Sequence, residues 1–199
     1  MLRATNRPDE AEPLLHRALA IDEASLGKDH PNVASDLSNL ASLLYDTNRL
    51  GEAEPLMRRA LAIGEASLGN DHPTVATALN NLAQLLRATN RLGEAEPLMR
   101  RALAIDEAIL GKDHPSVAIR LSNLARLLQA TDRLGEAQPL MRHALAIFLA
   151  FQRDTGHAHS RRDTAIANYR GLLAAMGKSE AEIAAELAAL WREAGLEPG

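Results

Sequence analysis

The sequence repeats itself every 42 residues, and this period constrains the fold more than any other feature. The run G-x-D-H-P begins at Gly27, Gly69 and Gly111, and the run M-R-[RH]-A-L-A-I recurs at the same spacing. A period of this length is typical of stacked helical repeats, in which each unit contacts only its neighbours. We therefore expect a linear array of repeats and not one closed core.

The composition predicts that the repeats are helical. Apolar residues make up 46% of the chain but aromatic residues only 3%, and most of the apolar share is Leu and Ala. These residues favour helices, whereas chains rich in strands favour β-branched and aromatic residues. We therefore predict an all-α fold.

Charge and residue usage exclude several classes of protein. The net charge of −4 gives no support for a nucleic-acid partner, which requires a concentrated basic surface. The chain has no Cys, so it can form neither a disulfide nor a thiolate zinc site. The residues after Met1 lack the apolar core of a signal peptide, and no run of about 18 apolar residues could cross a bilayer. We expect a cytoplasmic protein without a membrane partner.

Each repeat is predicted to contain two helices, which we name helix A and helix B. In the first complete repeat, helix A covers roughly residues 33–47 and helix B roughly 50–68. The stripe of helix A has the i, i+3, i+4, i+7 spacing of an amphipathic helix; it comprises Val33, Leu37, Leu40, Ala41 and Leu44. The preceding D-H-P-[NTS] run favours a helix start with Pro in the first turn and Asp, Asn, Thr or Ser as cap. The sequence does not decide which residue is the cap. Pro55, Pro97 and Pro139 fall in the first two turns of helix B, where we expect a slight bend and no break.

We interpret residues 1–199 as a single array. It consists of a partial repeat (1–26), three full repeats (27–68, 69–110 and 111–152) and a divergent repeat with a C-terminal cap (153–199). Residues 3–7 match the end of a helix A whose body is missing. Residues 179–194 are predicted to form the last helix, capped by Ser179. Terminal repeats of such arrays are atypical because they close the core against water.

The pattern of large and small residues resembles the tetratricopeptide repeat. In the first full repeat the matching positions are Leu37, Leu40, Ala41, Leu44, Ala53, Met57 and Ala60. The same residue types recur at 42-residue spacing in the next two repeats. At 42 residues the unit is longer than usual. In its length the unit is similar to the repeats of kinesin light chains and of bacterial proteins in which such arrays follow a signalling NTPase domain. The last repeat departs from the pattern, because Arg170 replaces a small residue.

This resemblance implies a right-handed α-solenoid of antiparallel helix pairs. Helix A would line its concave face and would hold a peptide or helix of a partner protein. The chain has no G-x-x-x-x-G-K-[ST] run, so any nucleotide chemistry would belong to another chain or to a larger parent protein. A regulatory or sensor module of a signalling NTPase is therefore the alternative to a non-catalytic interaction scaffold.

The repeats also differ from one another in an uneven way. Between the first two full repeats, seven of seventeen positions differ in helix A (32–48 against 74–90) but only two of twenty in helix B (49–68 against 91–110). The helix A changes avoid the apolar stripe. We interpret this variable face as the surface that recognises a partner; recent duplication with chance divergence is the alternative.

One polar position on that face never varies, since it is Asn in every repeat. An Asn amide both donates and accepts hydrogen bonds, so it matches a peptide backbone; alternatively it binds a neighbouring helix and fixes the twist. The predicted groove residues are Asn39, Asn81, Asn123, Asn168, Ser38, Asn80, Ser122, Gln84, Arg87, Arg126 and Gln129. Because the later members are polar to basic, we expect an acidic or polar peptide over the second and third full repeats.

Other signals are weaker. His30, His72 and His114 recur once per repeat and are interpreted as linker residues. His157 and His159 have the spacing of metal ligands but no third ligand nearby, so we predict no metal or cofactor. Nothing resembles a nucleophile with its base, so we predict no enzyme. Residues 8–26 have lost the helix A on which they should pack, and an exposed apolar face there could support end-to-end self-association.

Overall fold

The computed structural model describes residues 8–197, and within them it contains nine α-helices and no strand. The helices are α1 (Pro8–Leu26), α2 (Pro31–Asp46), α3 (Leu50–Leu68), α4 (Pro73–Ala88), α5 (Leu92–Leu110), α6 (Pro115–Ala130), α7 (Leu134–Thr155), α8 (Arg162–Ala175) and α9 (Glu180–Glu193). The all-α prediction is confirmed. The helix end that the sequence assigns to residues 3–7 lies outside the described residues.

The helix boundaries follow the repeat. Helix A of the first full repeat is α2, which begins two residues before the predicted start and ends one residue before the predicted end. Helix B is α3 and has the predicted bounds. Pro55, Pro97 and Pro139 lie inside α3, α5 and α7, and these helices continue through them, as expected for Pro near a helix start.

Histidine caps the start of helix A in all three full repeats. The backbone N–H of Asn32 donates to Nδ1 of His30 at 3.2 Å, and His72 and His114 accept from Thr74 and Ser116 in the same way. Pro occupies the first helical position in each case. The expectation that Asp, Asn, Thr or Ser supplies this cap is therefore wrong. The histidines are helix caps and not only linker residues.

The turn from helix A to helix B contains a residue in the left-handed region. Asn48, Asn90 and Asp132 have φ of 61°, 60° and 59°. At the first of these turns the N–H of Arg49 donates to the carbonyl of Leu44 at 2.8 Å. This bond closes the end of helix A in the arrangement that usually carries glycine, and Asn and Asp are the side chains that tolerate it best.

The packing of the helices divides the chain into two compact units at residues 105 and 106, inside α5. In the first unit, α2 packs against α3, and α1 and α4 pack against these two. One core cluster comprises Val33, Ala34, Leu37, Ala60 and Ile63, with Leu19 of α1 against it. The next repeat forms the matching cluster of Val75, Ala76, Leu79, Ala102 and Ile105. The same stripe positions thus build the core in successive repeats.

The second unit begins in α5 and ends in the C-terminal cap. Here α6 packs against α7, α7 against α8, and α8 against α9. Tyr169 and Phe148 are its largest fully buried side chains. Arg170, which departs from the repeat pattern, is exposed and pairs with Glu180 at 2.8 Å. Ser179 caps α9 as predicted, in a reciprocal pair with Glu182.

No helix among residues 8–197 combines the length and the apolar character needed to span a membrane.

Candidate functional site

The recurring asparagines lie outside the core. Asn39 is exposed, and Asn81, Asn123 and Asn168 are half-buried. Each directly precedes a fully buried Leu or Tyr of the stripe. Adjacent residues of a helix point about 100° apart, so the buried neighbour fixes each Asn at the edge of the packed face. That these asparagines bind a partner stays a prediction.

Two of these asparagines line one open pocket in the second unit. The pocket holds ≈ 360 Å³ of empty space, measured out to its mouth, and lies among α6, α7 and α8. Four predicted groove residues line it: Ser122, Asn123, Arg126 and Asn168. The structure therefore brings together helix A of the third full repeat and helix A of the divergent repeat.

The pocket also contains residues that sequence reasoning did not select. Phe148 of α7 and Ile119 of α6 give it an apolar surface, while Arg161 and Thr164 contribute from the start of α8. Ile119 occupies one of the variable helix A positions, so the comparison of repeats is the signal that could have selected it. Arg161 and Thr164 lie in and after a linker that has lost the G-x-D-H-P pattern, so no repeat alignment reaches them.

The pocket has a cationic rim. Arg126 and Arg161 are both exposed, and neither guanidinium forms an ion pair with any described residue. No carboxylate of residues 8–197 lines the pocket. Its other polar groups are the hydroxyls of Ser122 and Thr164 and the amides of Asn123 and Asn168. The surface is rich in hydrogen-bond donors and favours an anionic or carbonyl-bearing group.

The remaining predicted groove residues lie outside this pocket. Ser38 donates to its own helix at Ala34 O over 2.8 Å. Asn80 is only 9% exposed, and it has a polar partner within the protein. Gln84 accepts from Arg87 Nε at 3.1 Å. Asn39, Asn81 and Gln129 also lie elsewhere. Four of the eleven predicted groove residues therefore line the pocket among α6, α7 and α8.

Helix B carries a ladder of ion pairs that uses several of its retained residues. Arg49 pairs with Glu12 and Glu52 at 2.7 Å each, and Arg91 repeats this with Glu54 and Glu94. Each such arginine links consecutive helices B. Burial raises the pKa of Glu54, but its bonds with Arg91 and Arg58 outweigh this effect and hold that pKa below its ordinary value. These retained residues of helix B therefore have a structural role, and the contrast with helix A does not by itself require selection for binding.

One variable position of helix A belongs to the packing between repeats. In the three full repeats this position is Asp36, Ala78 and Arg120. The facing position, fourteen residues earlier on the preceding helix B, is Asp22, Gly64 and Asp106 in the same order. Arg120 Nε donates to Asp106 Oδ2 at 2.8 Å. Position 64/106 is one of the two helix B positions that differ between the first two full repeats, so both members of this contact change from repeat to repeat.

The first member of this series is a pair of carboxyl groups. Burial, the charge of Asp22 and a hydrogen bond to Asp22 together raise the pKa of Asp36. The Oδ2 atom of Asp36 is buried and has no hydrogen-bond partner among the described residues. This junction lacks the cation that Arg120 supplies two repeats later.

One histidine of the divergent linker, His159, has a packing role. The ring of His159 stacks on Phe148 with 4.7 Å between centroids, and its Nδ1 accepts from the N–H of Arg161 at 3.1 Å. Among the described residues, no three His, Asp or Glu side chains lie close enough together to hold a metal ion.

Comparison with known proteins places these features in a wider group. A sequence model of the tetratricopeptide repeat matches residues 1–66, 37–108 and 91–150 of the chain. A search of curated protein sequences returned no significant match.

Solved structures resemble the whole chain. A Podosopora anserina kinesin-light-chain-like protein with nearly identical TPR-like repeats is 25% identical, with a TM-score of 0.76 over 96% of this chain and 90% of that one. A point variant of the same protein gives 26% identity and a TM-score of 0.77, over 96% of this chain and 88% of that one. BtubC (BKLC) from P. vanneervenii is 23% identical, with a TM-score of 0.78 over 99% of this chain and 78% of that one, and this likeness concerns the fold alone.

Proposed function

The chain belongs to the tetratricopeptide repeat family, and from this premise we propose that it binds a peptide or helical segment of a partner protein against its helix A residues. Tetratricopeptide repeats generally serve as protein-interaction scaffolds. The chain acts in this proposal by binding alone, without catalysis.

The pocket among α6, α7 and α8 is the observation that carries the proposal. It lies where two successive helices A approach each other, and it contains two of the recurring asparagines. The pocket is open to solvent, so a side chain of a partner can reach the residues that line it. A partner segment that crosses α6 and α8 would reach amide donors and acceptors at both helices.

The chemistry of the pocket favours an acidic residue in that segment. Arg126 and Arg161 offer two guanidinium groups without a carboxylate from the described part of the chain, and a carboxylate accepts two hydrogen bonds from one guanidinium fork. Phe148 and Ile119 would contact the apolar part of the same segment. We therefore propose a short partner segment in which an acidic residue lies next to an apolar one.

A selection experiment tests this proposal. Random short peptides displayed on phage are selected on the wild-type protein, and the recovered peptides are then titrated against single variants. We expect acidic residues to be enriched, and R126A to weaken binding about tenfold because an ion pair in a pocket is lost. The double variant N123A/N168A should bind the same peptides more weakly than the wild type does.

Arg192 provides a matched control. It is exposed on α9 and forms no ion pair with the described residues, so R192A makes the same change of charge away from the pocket. Equal binding by R126A and R192A, or selected peptides without acidic residues, would count against the proposed site.

Self-association is a second candidate, and α1 favours it. Leu14 and Ile21 are 53% and 55% exposed, whereas Ile63, which matches Ile21 one repeat later, is 4% exposed. Leu19 is already packed against α2, so the open face is smaller than the sequence predicts. Light scattering over a range of protein concentrations tests this candidate. A second species that the variant L14E/I21E abolishes would support it, and a monomer at every concentration would exclude it.

A further inference from the structure

An arginine of helix B binds the preceding repeat in the same way twice. Arg59 donates to Glu23 Oε1 at 2.6 Å and to the carbonyl of Lys28 at 3.0 Å. One repeat later, Arg101 donates to Glu65 and, at 3.0 Å, to the carbonyl of Asn70. In both cases a guanidinium joins the carboxylate of the preceding helix B to the loop that follows it.

The third full repeat has the acceptors of this arrangement but not the arginine. The matching residues are His143, Glu107 and the carbonyl of Lys112. His143 Nε2 lies 3.3 Å from Asp113 Oδ1 and so turns toward the loop. The Glu107 side chain on α5 and the carbonyl of Lys112 in the loop after it have no hydrogen bond or ion pair with any other residue among 8–197. The site that a guanidinium occupies in the two preceding junctions therefore has its two acceptors here but no arginine to donate to them.

An open pocket lies beside this position. Asp113 and His143 form part of its rim, and its apolar floor comes from α7 and α9; the floor residues are Ala146, Ile147, Ala150, Leu190 and Ala194. The pocket holds ≈ 610 Å³ of empty space out to its mouth. The other charged groups of its rim are already paired, since Glu193 binds Arg142 and Arg153 binds Asp154. A segment that enters the pocket meets Asp113, which follows Lys112 in the same loop, and His143.

We propose that this position is a binding site for an arginine side chain of a partner protein. The incoming guanidinium would donate to the carboxylate of Glu107 and the carbonyl of Lys112, as Arg59 and Arg101 do within the chain. The N–H groups of a guanidinium form a fixed fork that can donate to a carboxylate and a carbonyl at the same time. The ammonium of a lysine is a point charge without this fixed geometry. The apolar floor would contact the residues that flank the arginine. The site is formed by α5, α7, α9 and the loop before α6, and it does not depend on the function proposed for α6 and α8.

A small probe tests the site directly. N-acetyl-arginine N-methylamide is titrated into isotope-labelled protein, and the backbone amide resonances are followed by NMR. We expect saturable shifts at Lys112, Asp113 and His143. The uncharged isostere N-acetyl-citrulline N-methylamide should bind at least about tenfold more weakly, because the charge-assisted bond to Glu107 is lost.

Two variants separate a specific site from general attraction to acidic groups. In H143R the chain supplies its own guanidinium, so the variant should gain thermal stability and lose the probe shifts. The E107Q variant should keep its fold, which its NMR spectrum checks. Its affinity for the probe should fall about tenfold. Three results would each overturn the proposal: no saturable shifts in the wild type, equal binding of the two probes, or H143R that binds the probe like the wild type.

Discussion

Arg120 on α6 donates from Nε to Asp106 Oδ2 on α5 at 2.8 Å, and the two side chains are only 13% and 5% exposed. The pair is one of three versions of the same contact. The first junction has Asp22 and Asp36, the second has Gly64 and Ala78, and the third has this ion pair. Each junction between repeats is thus chemically distinct, although the surrounding apolar residues are the same.

We predict that R120A destabilises the protein by about 3 kcal/mol, because Asp106 would keep a charge in a largely buried place without its partner. The double variant D106G/R120A installs the pair found at the preceding junction and should recover most of the loss. Urea unfolding of both variants measures this. A double variant as unstable as R120A would show that the two positions are not coupled.

We predict that D36N raises stability at neutral pH by roughly 1 kcal/mol, because the amide can donate to Asp22 and the buried oxygen no longer carries charge. The pKa of Asp36 is raised, so the folded state holds its proton more tightly than the unfolded state does. The wild type should therefore lose stability as the pH rises from the ordinary pKa of an aspartate through the raised one.

Unfolding curves at several pH values check this second prediction. The advantage of D36N should be largest above the raised pKa of Asp36 and should shrink as the solution is acidified. D46N is the control, since Asp46 is exposed on the same helix. An advantage of D36N that is independent of pH would show that ionisation of Asp36 is not its cause.

We predict that H72A lowers the free energy of unfolding by about 1 kcal/mol, the usual effect of removing a helix N-cap. H72D should restore or exceed the wild-type value, because its carboxylate accepts the same N–H and interacts favourably with the helix dipole. Thermal unfolding measures both variants. Equal stability of H72A and the wild type would mean that the bond from Thr74 N to His72 Nδ1 contributes nothing.

We predict that D132A destabilises the turn between α6 and α7 by about 1 kcal/mol, while D132G does not. Asp132 has φ of 59°, a conformation that Ala adopts poorly and Gly adopts without strain. Chemical denaturation of the two variants provides the measurement. The opposite order of stabilities would show that the side chain of Asp132, and not its backbone conformation, matters at this turn.

The sequence predicts the helices well because the apolar stripe and the turn residues recur in register. Leu37, Leu79 and Leu121 are core residues in each repeat, and the bounds of helix B in the first full repeat agree to the residue. The histidine cap was missed because His is not among the usual N-cap residues. Its recurrence directly before Pro in all three full repeats was the available signal.

The candidate site could be predicted only in part. The repeat pattern identifies Asn123 and Arg126, but Arg161 and Thr164 follow a linker that has no counterpart in the other repeats. Arg120 contacts Asp106 across two helices, and no spacing within a single helix reveals this contact. Groups that meet across two helices therefore need the structure.

The central claim is that a partner segment lies against helix A at α6 and α8. Backbone amide shifts of the isotope-labelled protein, measured by NMR during titration with an acidic peptide selected as described above, test this most directly. We predict that the largest shifts fall at residues 122–126 and 161–168. Largest shifts along the ion-pair ladder of α3 and α5, with none at these residues, would contradict the account.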